Sequence, residues 1–78
     1  MEINTFIEHF AEQFDETSIS EFKPGTVFHD LDEYASIIAL SLILMIDEEY
    51  GVTVDGNEMS SCVTIEDLFN LVRKKKEQ

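Results

Sequence analysis

Few residues in this 78-residue chain have the type and spacing to do chemistry, and Ser36 comes first among them. It stands directly before a long apolar run, where a helix begins and free backbone N–H groups gather. A hydroxyl placed there faces the positive end of a helix dipole, which suits either a phosphate ester or a plain N-cap. The other reactive side chains are sparse. His9 lies among the polar positions of its segment and reads as a solvated surface histidine. His29 and Asp30 adjoin Asp32 and Glu33, which invites a metal reading. No second histidine stands at ligand spacing and no glycine-containing calcium loop is present, so a solvated acidic cluster is the better reading. Cys62 has no adjoining base and reads as a small buried residue. No nucleophile and base share a spacing that supports catalysis, so the chain is not expected to be an enzyme.

The element that positions Ser36 is the run Ala35 to Gly51, apolar at nearly every place from Ile37 to Ile46. Its Ala, Leu, Met and Glu content predicts a helix over 36–50, with Gly51 as its left-handed terminator. Apolar on most of its circumference, it is expected to be the central helix, buried by several neighbours. It is too short to span a bilayer. Before it, Ile3, Phe6, Ile7, Phe10, Ala11 and Phe14 recur at helical spacing, predicting a first helix over 3–14 capped by Asn4 or Thr5. Residues 15–34 read as a long ordered loop, packed through Ile19, Phe22, Val27, Phe28 and Leu31. A short helix over 57–62 follows the Asp55-Gly56-Asn57 turn. The last helix, 65–76, opens on a capping box of Thr64 with Asp67, with Val63 and Leu68 placed as a hydrophobic staple. Arg73 to Lys76 complement the negative end of its dipole. The architecture expected is all-α: one 1–78 domain, a small four-helix bundle with three main helices and one short.

Charge narrows the partners. The formal net charge is −12, but residues 1–72 carry −15 and residues 73–78 carry +3. Such a body repels phosphate backbones and anionic lipid and attracts basic protein surfaces, which argues against nucleic-acid binding and membrane insertion. Like-charge crowding predicts a fold that gains stability as pH falls from about 7 toward about 5. A lone cysteine and an opening that does not read as a signal peptide lead us to expect a cytoplasmic setting. A monomer is expected.

The order of elements and the residues themselves resemble the acyl carrier protein family over nearly the whole chain. The resemblance rests on the first-helix stripe, on Thr26-Val27-Phe28-His29-Asp30-Leu31, on Ser36–Tyr50 with its Asp47-Glu48-Glu49-Tyr50-Gly51-Val52 ending, and on Val63-Thr64-Ile65-Glu66-Asp67-Leu68. It implies a four-helix bundle of acyl-carrier-protein type. In that family the second helix opens with Asp-Ser-Leu and the serine carries a 4′-phosphopantetheine arm derived from CoA. Here the motif is Ala35-Ser36-Ile37, so the resemblance implies covalent attachment at Ser36. Acyl groups would ride on the arm as thioesters for fatty-acid, lipid or specialised acyl or peptidyl biosynthesis. The partners implied are a phosphopantetheinyl transferase and acyl-activating, condensing or acyltransferase enzymes with basic docking patches. The docking face implied comprises Ile37, Ile38, Ser41, Leu44, Asp47 and Glu48. Ala35 replaces the family's aspartate, and Ile38 and Ser41 stand where fatty-acid carriers are often acidic, which suggests a specialised carrier. The alternative is an acidic helical interaction module of the same fold that is never loaded.

Overall fold

The computed structural model describes residues 1–78 as four helices with no strand. They are α1 (Ile3–Ala11), α2 (Ser36–Tyr50), α3 (Gly56–Ser61) and α4 (Ile65–Lys76). No helix is long and apolar enough to cross a membrane.

The first helix is shorter than its apolar stripe. It ends at Ala11, after which Gln13 and Phe14 N–H groups donate to the carbonyls of Phe10 and Ala11 in tighter turns. Phe14 therefore reaches the core although it is outside α1. The cap also differs from expectation. The Glu2 carboxylate accepts from the Asn4 and Thr5 N–H groups at 2.9 and 3.3 Å, so Asn4 and Thr5 lie inside the helix. A side chain one methylene longer than the usual cap does the same work, with a negative charge at the positive helix end.

The loop from 12 to 35 is ordered by side chains rather than by a helical period. Single 3₁₀ turns form at Ile19–Glu21 and Phe28–Asp30. Glu33 closes the loop on itself, accepting from the Asp15 and Glu16 N–H groups at 2.6 and 2.9 Å and from the Thr17 hydroxyl at 2.8 Å. Further along, the Pro24 and Thr26 carbonyls accept the N–H groups of Glu66 and Ile65 at 2.9 and 3.1 Å, and Val27 bridges Thr64. The loop thereby satisfies N–H groups that the start of α4 would leave unpaired. Of the five expected pegs, Phe22 and Phe28 are buried and Leu31 packs partly, whereas Ile19 and Val27 face solvent.

The remaining boundaries follow local rules. Gly51 adopts φ 65° and its N–H donates to Asp47 O at 2.9 Å, ending α2 as expected. Asp55 and Glu58 form a reciprocal capping box, which starts α3 at Gly56, one residue before the expected start, and the extended Cys62 ends it. Thr64 and Asp67 form the second box, as expected. The staple does not bury both members, for Val63 stays 53% exposed over a fully buried Leu68. The core is one cluster of eighteen apolar residues, and no buried polar side chain interrupts it.

The basic end of α4 reaches across to its neighbours. Lys75 pairs with Glu58 at 2.7 Å and donates to Thr53 O, while Lys76 donates to Tyr50 O at 3.2 Å. Lys76 thus caps the negative end of α2, a role beyond serving its own helix dipole.

Candidate functional site

The start of α2 is unlike the other helix starts. Ala35 is its N-cap, with φ −152° and ψ 177°, and a methyl group can accept nothing. Its carbonyl accepts the Ala39 N–H at 2.9 Å, which makes Ser36 the first helical residue rather than the cap. Helix geometry leaves the Ser36, Ile37 and Ile38 N–H groups without an intrahelical acceptor. An exposed hydroxyl therefore sits among unpaired donors at the positive end of a fifteen-residue helix. An anion carried on Ser36 Oγ would be stabilised there.

The expected face of α2 is partly rearranged. Ile38 is buried, with Leu42, Met45 and Ile46, so it is a core residue and not part of a docking surface. The physical reason is helical pitch: Ile38, Leu42 and Met45 fall on one side, three or four residues apart. The opposite side exposes Ile37 at 73%, Leu40 at 55% and Leu44 at 53%. The helix is therefore not buried all round, despite its composition. Leu40 was not anticipated, although its place four residues after Ser36 and four before Leu44 puts all three on one face. Ser41 is half-buried beside this face, and Asp47 and Glu48 are exposed at its far end.

Both histidines are tied into the fold. His9 Nδ1 lies 2.9 Å from Tyr50 Oη, and its Nε2 is 3.7 Å from Glu49. Burial and the Glu49 charge hold the Tyr50 phenol above its ordinary range, so its O–H remains a donor. His9 thus locks α1 to the end of α2 and is not merely solvated. His29 Nε2 donates to Cys62 O at 3.0 Å, and its ring stacks on Phe28 with centroids 4.4 Å apart. That contact removes His29 from the acidic cluster. Asp30, Asp32 and Glu33 instead line a surface hollow with Glu16 and Glu21. Cys62 is buried as expected, and burial pushes its thiol up, away from the reactive thiolate form.

Comparison with family models, with curated proteins and with solved structures found no match.

Proposed function

We propose that the chain is an acyl carrier domain, with 4′-phosphopantetheine attached at Ser36. The observation that carries this reading is the exposed serine at the uncapped start of the central helix. The residue-level resemblance and the acidic body support it. When bound, the arm would supply a thiol that holds an acyl group as a thioester. Ser36 Oγ would bear the phosphodiester, and the N–H groups of the first α2 turn would stabilise its charge. The chain itself performs no bond-making beyond offering that hydroxyl. A transferase loads it, and acyl-activating, condensing or acyltransferase enzymes act on the cargo.

The test is intact mass after incubation with CoA and a broad-specificity phosphopantetheinyl transferase. The expected result is one phosphopantetheine adduct, absent from Ser36→Ala, with helical circular dichroism unchanged. An adduct that persists in Ser36→Ala, or maps to Ser41, overturns the assignment.

Ala35→Asp supplies the missing cap. A carboxylate at this position accepts from the first-turn N–H groups and faces the positive helix end, a gain of about 0.5–2 kcal/mol. The melting temperature is expected to rise by several degrees, as about 1 kcal/mol moves a domain this small by about 4–8 °C. The kcat/KM of loading is expected to rise with it, through attraction to a basic transferase. A lower melting temperature would show that Ala35 is not a vacant cap.

The exposed Ile37, Leu40 and Leu44 favour a second reading, an interaction module that is never loaded. Failure of both the natural chain and Ala35→Asp to accept the arm from any transferase would select it.

A further inference from the structure

We propose that the Asp55–Gly56 peptide bond is a self-modification site, an aspartyl linkage that isomerises to an isoaspartyl one through a cyclic imide, and that Glu58 and Lys75 hold the reaction back. The site takes no ligand, since both reacting atoms belong to the chain and water is the sole co-reactant. The inference does not rest on loading of Ser36.

The necessary pair of residues occurs once. Of the three glycines, Gly25 follows Pro24 and Gly51 follows Tyr50, so Gly56 alone follows a residue with a side-chain carboxyl group. A glycine has no Cβ beside its nitrogen to hinder attack. Both residues are exposed, and a Cβ placed on Gly56 would meet nothing within 4 Å. The Gly56 nitrogen, losing its proton, bonds to Cγ of the protonated Asp55 carboxyl group, whose hydroxyl leaves with that proton as water. A second water then opens the five-membered imide. Attack at Cγ restores aspartate. Attack at the Asp55 main-chain carbonyl breaks its bond to the Gly56 nitrogen, so the chain now runs through Cγ, one carbon longer, with a free α-carboxylate.

The fold withholds the geometry this needs. Ring closure requires Cβ and the Gly56 nitrogen eclipsed about the Asp55 Cα–C bond, and ψ 174° keeps them apart. Turning that bond swings α3 against the residue that caps it. The Glu58 N–H would leave Asp55 Oδ1, now 2.8 Å away, and Glu58 Oε1 would leave the Asp55 N–H, now 3.1 Å away. Glu58 is itself anchored, for its other carboxylate oxygen pairs with Lys75 Nζ at 2.7 Å. Lys75 also donates to Thr53 O at 3.1 Å, so one α4 lysine grips the chain on both sides of the Asp55–Gly56 bond. Isomerisation therefore waits for the first turn of a six-residue helix to open. Afterwards the cap cannot re-form, because carboxylate and main chain have exchanged places, and the Glu58 N–H loses its acceptor.

The natural chain and its variants are aged in neutral buffer and digested, and the peptides carrying residue 55 are separated and weighed. The imide is one water lighter than the starting peptide. The isoaspartyl peptide has an unchanged mass, a new retention time and resistance to a protease that cuts before aspartate. Isoaspartate is expected at residue 55 ahead of Asp15, Asp30, Asp32, Asp47 and Asp67, and faster in urea than in the folded chain. Gly56→Ala enters open space and should suppress it. Glu58→Ala should speed it about fivefold, the change in open population that loss of one cap gives. Lys75→Met should speed it about twofold through the lost ion pair, while Lys74→Met, the same charge change beside it, should have no effect. In aged protein the Glu58 amide proton should exchange faster than in fresh protein. Circular dichroism keeps the comparison to folded chains, and Lys75→Met carries the test should Glu58→Ala not fold.

A folded-state rate equal to the rate in urea would overturn the guarding role. So would a folded Glu58→Ala that ages no faster than the natural chain, or Lys75→Met ageing no faster than Lys74→Met. Isoaspartate gathering first at another aspartate, or none at residue 55 of the folded chain, would overturn the site itself.

Discussion

Phe10→Ala is expected to leave the chain without a stable fold at about 37 °C. Phe10 is fully buried, and its ring centroid lies 5.5 Å from those of Phe14 and Phe28, 6.0 Å from Phe22 and 6.5 Å from Phe6. It is where α1, the turn after it and the long loop meet. Removing a buried phenylalanine costs about 3–5 kcal/mol. A core of this size supplies about 3–5 kcal/mol in all, so one substitution consumes the margin. Far-ultraviolet circular dichroism and amide dispersion would report the loss. A cooperative melt within about 5 °C of the natural protein would show that the aromatic cluster is not the keystone. Phe10→Leu keeps most of the volume and is expected to remain folded, with a loss below about 1.5 kcal/mol.

Acid should destabilise the protein, the reverse of what its crowded charge suggests. The carboxylates that move clearly from their ordinary values all move down. Glu33 is lowered chiefly by the Asp15 N–H, Glu2 by the Asn4 N–H, Glu58 by Lys75 and Asp67 by the Thr64 N–H. Hydrogen bonds to the charged form outweigh desolvation at each of them. Where a folded carboxyl titrates below its unfolded value, the unfolded chain binds more protons in acid. The stability these groups contribute is complete above the unfolded values, near 4.5 for glutamate and 3.8 for aspartate, and is lost as pH falls through the lower folded ones. Melting temperature should therefore change little from pH about 7 to about 5 and drop below about 4.5. Glu33→Gln should flatten part of that drop. A melting temperature that climbs on acidification through this range would restore repulsion as the governing effect.

What could be read without the structure was whatever a few neighbouring residues decide. Gly51 ends α2 because its own φ permits it, and Thr64 with Asp67 starts α4 by a contact three residues long. The first-helix period found the buried Phe6, Phe10 and Phe14, since a stripe marks a core face wherever the helix stops. The misreadings involve partners distant in sequence. His9 is held by Tyr50, forty-one positions away, and Glu33 by two N–H groups and a hydroxyl sixteen to eighteen positions back. Ile38 and Leu40 are both large and apolar, and only the packing of α1, α3 and α4 decides which of them is covered. At the candidate site, Ser36 and its exposure follow from its place before the run. The vacancy of the cap depended on which residue closes the first turn.

The uncapped beginning of α2 also sets a clock. Amide protons at Ser36, Ile37 and Ile38 have no acceptor within the helix, so solvent deuterium should replace them nearly as fast as in an open chain. Eight residues on, Met45 and Ile46 lie in the core, where exchange must wait for the whole domain to open. One helix thus spans both extremes of lifetime, with its most labile turn at the candidate attachment point. A group hung there would sample many directions within nanoseconds while the rest of α2 held still.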